Sequence, residues 1–295
     1  MRRKEIHDAP LAERVAVEQR IWDGINDDLF ADPSLLQLTH PSYESFFTSY
    51  PEYRWAYDYL GPSLAGRRVL ELGCGTGVLS VALAASGAIV TAVDVSASSL
   101  AVTERRARHF GVSDRVTCIQ SAAELLDFRD GSFDIFLAKS VVHHLIIDDV
   151  MPRIYAFLVP GGRGVIIEPQ SNPVLDFARE HLPYPGKESD EHGTDEFFTR
   201  AMIERIIGHF DEGEFREFRL FGMFEKLITG SGAGFEARRS RERRVRRYRR
   251  IVDPIDGALL RLVPPLRRLA QMVVIRLGRA PVAAVAGAGR VATAR

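Results

Sequence analysis

The stretch 69–80, VLELGCGTGVLS, has the pattern from which the fold of this chain can be predicted. An apolar run ends at Leu72, glycines follow at every second position, and a second apolar run starts at Val78. The first run is typical of a strand that is buried on both faces, and the second can begin a helix. Glycine leaves no Cβ between backbone and ligand, and a helix N-terminus presents unpaired N–H groups. The stretch therefore predicts a strand, a turn and a helix that together bind a nucleotide.

The spacing of the glycines separates two kinds of nucleotide site. A dinucleotide site has the pattern G-x-G-x-x-G, but here Val78 stands where its third glycine would be. The actual pattern, from Glu71 to Gly77, is E-x-G-x-G-x-G. It resembles the first motif of the class I, Rossmann-like methyltransferases that depend on S-adenosylmethionine. A dinucleotide-dependent oxidoreductase remains an alternative.

Strands and helices alternate after this motif, which predicts an α/β fold with a parallel sheet. The resemblance implies a doubly wound, mostly parallel, seven-stranded sheet with helices on both faces. We expect a helix at 96–110, a second at 197–210, and two antiparallel strands within 215–229. The strands of the parallel part are expected at 68–73, 88–94, 115–120, 133–138 and 164–168.

The expected cofactor is S-adenosylmethionine, bound at the carboxyl ends of the first four strands. Asp94 ends the second strand, where a carboxylate can accept hydrogen bonds from ribose hydroxyls. Ala122 stands where the resembled family usually has an aspartate beside the adenine, and backbone N–H groups are the donors left there to contact the ring. The candidate cofactor residues are Glu71, Gly73, Cys74, Gly75, Gly77, Asp94, Val95, Ala122, Ala123 and Lys139.

The candidate catalytic residues follow the fourth and fifth strands. His143 and His144 belong to a segment that resembles the family's H-H-L, and a histidine can act as a general base near neutral pH. Glu168 ends the fifth strand, and we expect it to point into the mouth of the site, where it would take a proton or stabilise positive charge. A histidine that only packs, and a carboxylate that only caps backbone groups, are the structural alternatives.

Aromatic residues in the N-terminal part are expected either to line the substrate side or to pack on the sheet. The candidates for the substrate side are Tyr43, Phe46, Phe47 and His192. We expect a helical cap over residues 1–60, the cofactor-binding domain over 61–230 and a basic helical extension over 231–295.

The extension explains how a chain without net charge can still be polarised. Residues 235–295 contain sixteen arginines and four acidic residues. Apolar residues mixed with arginine in 235–279 suit a helix at a membrane surface. They also suit a helical lid or a subunit contact, and the oligomeric state is left open. Aromatic residues are not interleaved with the arginines, which argues against nucleic acid as a partner.

Composition narrows the remaining choices. The two cysteines, Cys74 and Cys118, make no disulfide framework, and no C-x-x-C spacing indicates a metal site. The N-terminus lacks a secretory signal, and no apolar run could span a membrane. We therefore expect a cytoplasmic enzyme, peripheral to the membrane if the extension binds there, that methylates a small apolar or lipid-like metabolite such as a quinone, isoprenoid, polyketide or glycolipid. An RNA methyltransferase and a non-catalytic nucleotide-binding protein are the alternatives.

Overall fold

The computed structural model describes residues 9–25, 42–170, 172, 198–221, 225 and 235–281, with side chains omitted at 24, 25, 45 and 235–242. The α-helices are α1 Leu11–Ile25, α2 Tyr43–Thr48, α3 Pro51–Leu60, α4 Val78–Ala85, α5 Ala97–His109, α6 Ile147–Phe157, α7 Arg200–Ile207 and α8 Phe235–Leu262. The strands are β1 Arg68–Leu72, β2 Ile89–Asp94, β3 Val116–Gln120, β4 Phe133–Lys139, β5 Leu158–Pro169, β6 Glu212–Phe218 and β7 Met272–Gly278.

Within the described residues the strands form one sheet of seven in the order β3-β2-β1-β4-β5-β7-β6. β1 pairs in parallel with both β2 and β4, and β7 runs antiparallel to both β5 and β6. The predicted fold class is thus confirmed. The strand order reverses between β1 and β4, and open α/β sheets bind ligands at such a switch point, beyond the carboxyl ends of the strands.

Burial on both faces explains the apolar runs of the central strands. Leu70 and Leu72 pack on one side of the sheet with α6, whereas Val69 packs on the other side with α4. All three side chains are at most 2% exposed. The helices therefore cover both faces, as the run around Val69 predicted.

The last strand, β7, corrects the prediction for the end of the chain. Two strands were expected within 215–229 and helix beyond 231, but the only strand described in that first region is β6, and its partner is β7. Val273, Val274 and Ile275 are fully buried between β5 and β6. β-branched residues favour strands, and this sheet position buries both faces of the segment. Residues 272–278 are therefore unavailable to a membrane.

The arginine-rich helix α8 is fixed to α3 by buried charges. Glu52 on α3 is fully buried and contacts both Arg219 and Arg249. Its Oε1 lies 3.5 Å from Arg249 Nη1. Arg249 Nε also donates to Glu225 at 2.6 Å, and the guanidinium lies 4.3 Å from the ring centre of Tyr50. No helix of the described residues is both long enough and apolar enough to cross a membrane.

Candidate active site

A cavity of about 560 Å³ opens at the carboxyl ends of β1, β2 and β4. Its volume is in the range of small-molecule sites. The lining comes from the glycine turn after β1, the end of β2, the loops after β3 and β4, and the helix α1 above them. From the sequence candidates it includes Glu71, Gly73, Cys74, Gly75, Asp94, Val95, Ala122, Ala123, Lys139, His144 and Phe46.

The glycines of the turn serve two purposes, since two of them face closely packed neighbours and one faces open space. A Cβ on Gly73 would lie 2.5 Å from Val141 Cγ2, and one on Gly77 would lie 2.5 Å from Thr103 Cγ2. A Cβ on Gly75 would meet nothing within 4 Å. Gly73 and Gly77 therefore allow neighbouring segments to approach, whereas Gly75 leaves room in the cavity. Gly77 is not among the residues that line the cavity, and its expected contact with the cofactor stays a prediction.

Asp94 links the end of β2 to the glycine turn. Its Oδ2 accepts from Gly75 N at 2.8 Å, and its Oδ1 accepts from Ser96 N at 2.9 Å. Burial raises the pKa of this carboxyl, and these backbone N–H groups oppose the rise. Each carboxylate oxygen has a second lone pair. Asp94 can therefore hold the turn and still accept from a ligand hydroxyl.

Glu71 and Cys74, which also line the cavity, are buried, and burial disfavours the charged form of each. Burial raises the pKa of Glu71 to about 8, although Ser80 Oγ donates to its Oε2 at 2.5 Å and Lys139 favours the charged form. Burial likewise raises the pKa of Cys74 well above its ordinary value. A thiol of that kind is no nucleophile, so Cys74 contributes shape to the cavity rather than chemistry.

Glu168 does not point into the mouth of the site, where the sequence placed it, and the backbone-capping alternative describes its contacts. Its side chain is fully buried and does not line the cavity. Oε1 accepts from Val141 N at 2.9 Å and from Val142 N at 2.7 Å, while Oε2 lies 2.6 Å from His143 Nδ1. Glu168 therefore holds the loop after β4 in place, and Val141 of that loop packs on Gly73. His143, 7% exposed and outside the lining, belongs to the same anchor.

His144 is the histidine that reaches the cavity. Its Nδ1 lies 3.3 Å from Glu18 Oε1, and both side chains are 11% exposed. Glu18 Oε2 in turn accepts from Trp22 Nε1 at 3.0 Å. A histidine whose one nitrogen is held by a carboxylate has a defined tautomer and orientation. This pair can serve proton transfer to or from a ligand.

The helix α1 covers the cavity from one end to the other. Gln19 Nε2 donates to Val95 O at 3.0 Å, and Asp23 Oδ1 accepts from Ser96 Oγ at 2.6 Å, so the end of α1 lies over β2. Near its start, Arg14 donates to the carbonyl oxygen of His144 after β4. The sequence singled out neither Arg14 nor Glu18, because charges spaced four apart on a helix usually face solvent.

The aromatic candidates divide into lining and core. Phe46 lines the cavity together with Tyr50 and Tyr53. Tyr43 and Phe47 are 1% and 0% exposed and pack in the core beside α4, which is the packing alternative expected for them rather than the substrate side. His192 lies outside the described residues.

Comparison with known proteins agrees with this geometry. The methyltransferase domain family matches residues 69–162, from β1 to β5. The demethylmenaquinone methyltransferase of Clavibacter sepedonicus is 43% identical over 115 residues, which are 38% of this chain and 44% of that protein. The ubiquinone biosynthesis O-methyltransferase of Bordetella avium is 36% identical over 109 residues, 37% of this chain and 44% of that protein. The chain thus matches less than half the length of these relatives.

A solved structure extends the likeness to most of the fold. The geranyl diphosphate C-methyltransferase from Streptomyces coelicolor A3(2) superposes with a TM-score of 0.53 and 18% identity, over 77% of each chain. Residues 69–162 of this protein thus match a methyltransferase domain, and the sheet around them has the Rossmann-like strand order of the class I methyltransferases that use S-adenosylmethionine.

Proposed function

We propose that this protein transfers a methyl group from S-adenosylmethionine to a small apolar acceptor bound in the same cavity. The observation that carries the proposal is the continuity of the cavity. One side holds the glycine turn and Asp94, and the other holds His144 and the aromatic residues Phe46, Tyr50 and Tyr53.

The donor brings a methyl group that is already activated by its sulfonium, so the protein has to orient two reactants and exclude water. Asp94 would accept from the ribose hydroxyls, and the small side chains Ala122 and Ala123 would leave space for the adenine. The open side of Gly75 fits a ligand that lies directly on the backbone. The helix α1 closes the cavity above these groups.

His144 would act on acceptors that must lose a proton before methylation. The carboxylate of Glu18, 3.3 Å from Nδ1, would stabilise the imidazolium that forms. An acceptor with a hydroxyl group suits this pair. Phe46, Tyr50 and Tyr53 would surround its apolar part. The relatives whose names include demethylmenaquinone and ubiquinone support a quinol-like acceptor.

A transfer assay tests this proposal. The protein is incubated with S-adenosylmethionine labelled in its methyl group and with a short-chain quinol that has one free hydroxyl, and the organic phase is counted. We expect label in that phase, and a fall of about a hundredfold in its rate for His144→Asn, because general-base catalysis contributes on that order. His209→Asn, a change at a histidine far from the cavity that contacts Asp148 at 3.1 Å, is the control. Label that stays in the aqueous phase for the wild type contradicts the acceptor class.

We further propose that α8 meets an anionic membrane on the cytoplasmic side. Ile251, Ile255 and Leu262 are 63%, 46% and 76% exposed, and their spacings of four and seven residues put them on one side of the helix. Arg247, also exposed, is one turn before Ile251 on that side. Apolar side chains flanked by arginine suit a helix at the surface of anionic lipid.

Flotation with vesicles tests the membrane proposal. We expect binding to vesicles that contain phosphatidylserine or phosphatidylglycerol, and loss of binding in the double variant Ile251→Ser, Ile255→Ser. Ile89→Ser is the matched control, since Ile89 is 50% exposed at the start of β2. Equal binding by both variants would remove this face from the contact.

A further inference from the structure

Arg14 is a buried cation in the wall of the cavity with unused donors. Its side chain belongs to the lining, and the residue is 3% exposed. One terminal nitrogen, Nη2, donates to the carbonyl oxygen of His144. The other terminal nitrogen, Nη1, and the nitrogen Nε are both buried and have no hydrogen-bond partner in the part of the chain that the structure describes.

This arrangement differs from that of Arg249. Arg249 is 5% exposed and is paired with both Glu52 and Glu225. Arg14 has no acidic partner within salt-bridge distance among the described residues. A guanidinium always carries its charge and has five N–H donors, so burying it without an anion is unfavourable. The unused donors therefore indicate that a ligand supplies the missing acceptor.

The nearest acid on the same helix is already engaged. Glu18, one turn after Arg14, contacts His144 through Oε1 and accepts from Trp22 through Oε2. Both carboxylate oxygens of Glu18 are therefore engaged, and no ion pair joins Glu18 to Arg14 in the described part of the chain.

The place of Arg14 along α1 indicates which part of a ligand it meets. The end of α1 contacts Val95 and Ser96, on the side of the cavity where Asp94 would take the ribose. Arg14 contacts His144, which follows β4. The strand β2, which ends at Asp94, and β4 lie on opposite sides of β1. The hydrogen-bond acceptor that Arg14 lacks therefore belongs to one of two ligands. It lies either on the part of S-adenosylmethionine remote from the nucleoside or on the molecule that receives the methyl group.

We propose that Arg14 binds a carboxylate or phosphate group of a ligand in this cavity and thereby holds α1 closed over it. The inference rests on the cavity being the donor and acceptor site. The anion has two sources with the same chemistry, which are the α-carboxylate of the donor and an acidic group on the methyl acceptor. Both would form charge-assisted hydrogen bonds with Nε and Nη1.

Calorimetry on Arg14→Met separates these sources. The probes are S-adenosylhomocysteine, 5′-methylthioadenosine, which lacks the carboxylate, and inorganic pyrophosphate added to the S-adenosylhomocysteine complex. Arg20→Met is the matched control, because Arg20 is exposed on the same helix and donates only to Ala16 O at 3.2 Å among the described residues. Arg14→Lys keeps the charge and tests whether charge alone suffices.

If Arg14 binds the methyl donor, Arg14→Met lowers the affinity for S-adenosylhomocysteine by about tenfold or more and leaves the affinity for methylthioadenosine within about twofold of that of the wild type. If it binds the acceptor, Arg14→Met leaves both nucleosides unchanged but abolishes the pyrophosphate binding that the wild-type complex shows. Arg20→Met is expected to match the wild type throughout.

Two results would overturn the proposal. One is an Arg14→Met variant that matches Arg20→Met with all three probes. The other is an equal loss of affinity for both nucleosides, which would make Arg14 a structural support of α1. A wild type that binds neither nucleoside would refute the proposed function instead, and pyrophosphate titrated into the uncomplexed wild type and Arg14→Met would still decide the role of Arg14.

Discussion

Replacing Gly77 by alanine tests how the glycine turn is held. Gly77 has φ +71°, and its added Cβ would lie 2.5 Å from Cγ2 and 2.6 Å from Oγ1 of Thr103. Left-handed backbone costs a non-glycine residue about 1–2 kcal/mol. Overpacking of a filled site adds about 1–3 kcal/mol. We therefore expect the free energy of unfolding to fall by about 2–5 kcal/mol.

Gly111 offers a control in which only the backbone term is present. It has φ +67°, and a Cβ there would meet nothing within 4 Å. Gly111→Ala should cost about 1–2 kcal/mol. Both variants lose the same chain entropy in the unfolded state, so the difference between them measures the contact with Thr103.

The contact with Thr103 also matters for the ligand. Thr103 Oγ1 donates to Gly75 O at 2.9 Å, and a displaced Thr103 would release the turn. Urea unfolding and titration with S-adenosylhomocysteine are the assays for the two variants. Equal stability and equal affinity of Gly77→Ala and Gly111→Ala would show that the contact between Gly77 and Thr103 does not hold the turn.

Three other substitutions test separate parts of the site. Asp94→Ala should weaken S-adenosylhomocysteine about a hundredfold or more in calorimetry, because hydrogen bonds to a charged acceptor contribute about 1.5–3 kcal/mol each; an unchanged affinity would remove Asp94 from the site. Glu168→Gln should lower the free energy of unfolding by about 1.5–3 kcal/mol in urea, since the loop after β4 loses a charged acceptor; wild-type stability would contradict its anchoring role. Glu71→Gln should flatten the pH dependence of stability. With a pKa raised to about 8, native Glu71 keeps a proton that the unfolded chain has lost, so the free energy of unfolding of the wild type should fall from pH 5 towards pH 8. This fall should be steeper than that of the variant by up to about 1.4 kcal/mol per pH unit. Parallel curves from urea unfolding at several pH values would refute this assignment.

The central strands could be read from the sequence because burial on both faces leaves a simple pattern. The predicted strands at 68–73, 88–94 and 115–120 agree with β1, β2 and β3 to within one residue at each end. The glycine turn was equally readable, since its spacing between a strand and a helix is local information. The pairing of the strands beyond β5 could not be predicted from neighbouring residues, because β7 pairs with segments that are distant in sequence. The run Val273–Ile275 is β-branched and typical of a strand, but the neighbouring arginines and leucines suggested a helix at a membrane.

Charged residues gave the least reliable predictions because their roles depend on burial. Glu168 at the end of a strand resembles a catalytic carboxylate, and only the structure shows that three groups of the next loop occupy it. Arg14 and Glu18 resemble an exposed helical pair, and only the structure shows them in the wall of the cavity. In both cases the deciding fact is which segments of distant sequence pack together.

Calorimetric titration of the purified protein shows whether the cavity binds S-adenosylmethionine. S-adenosylmethionine, S-adenosylhomocysteine and NAD are titrated separately under the same conditions. We expect micromolar binding of the first two compounds and none of NAD. Absence of binding by both sulfur compounds, or binding of NAD alone, would contradict this expectation.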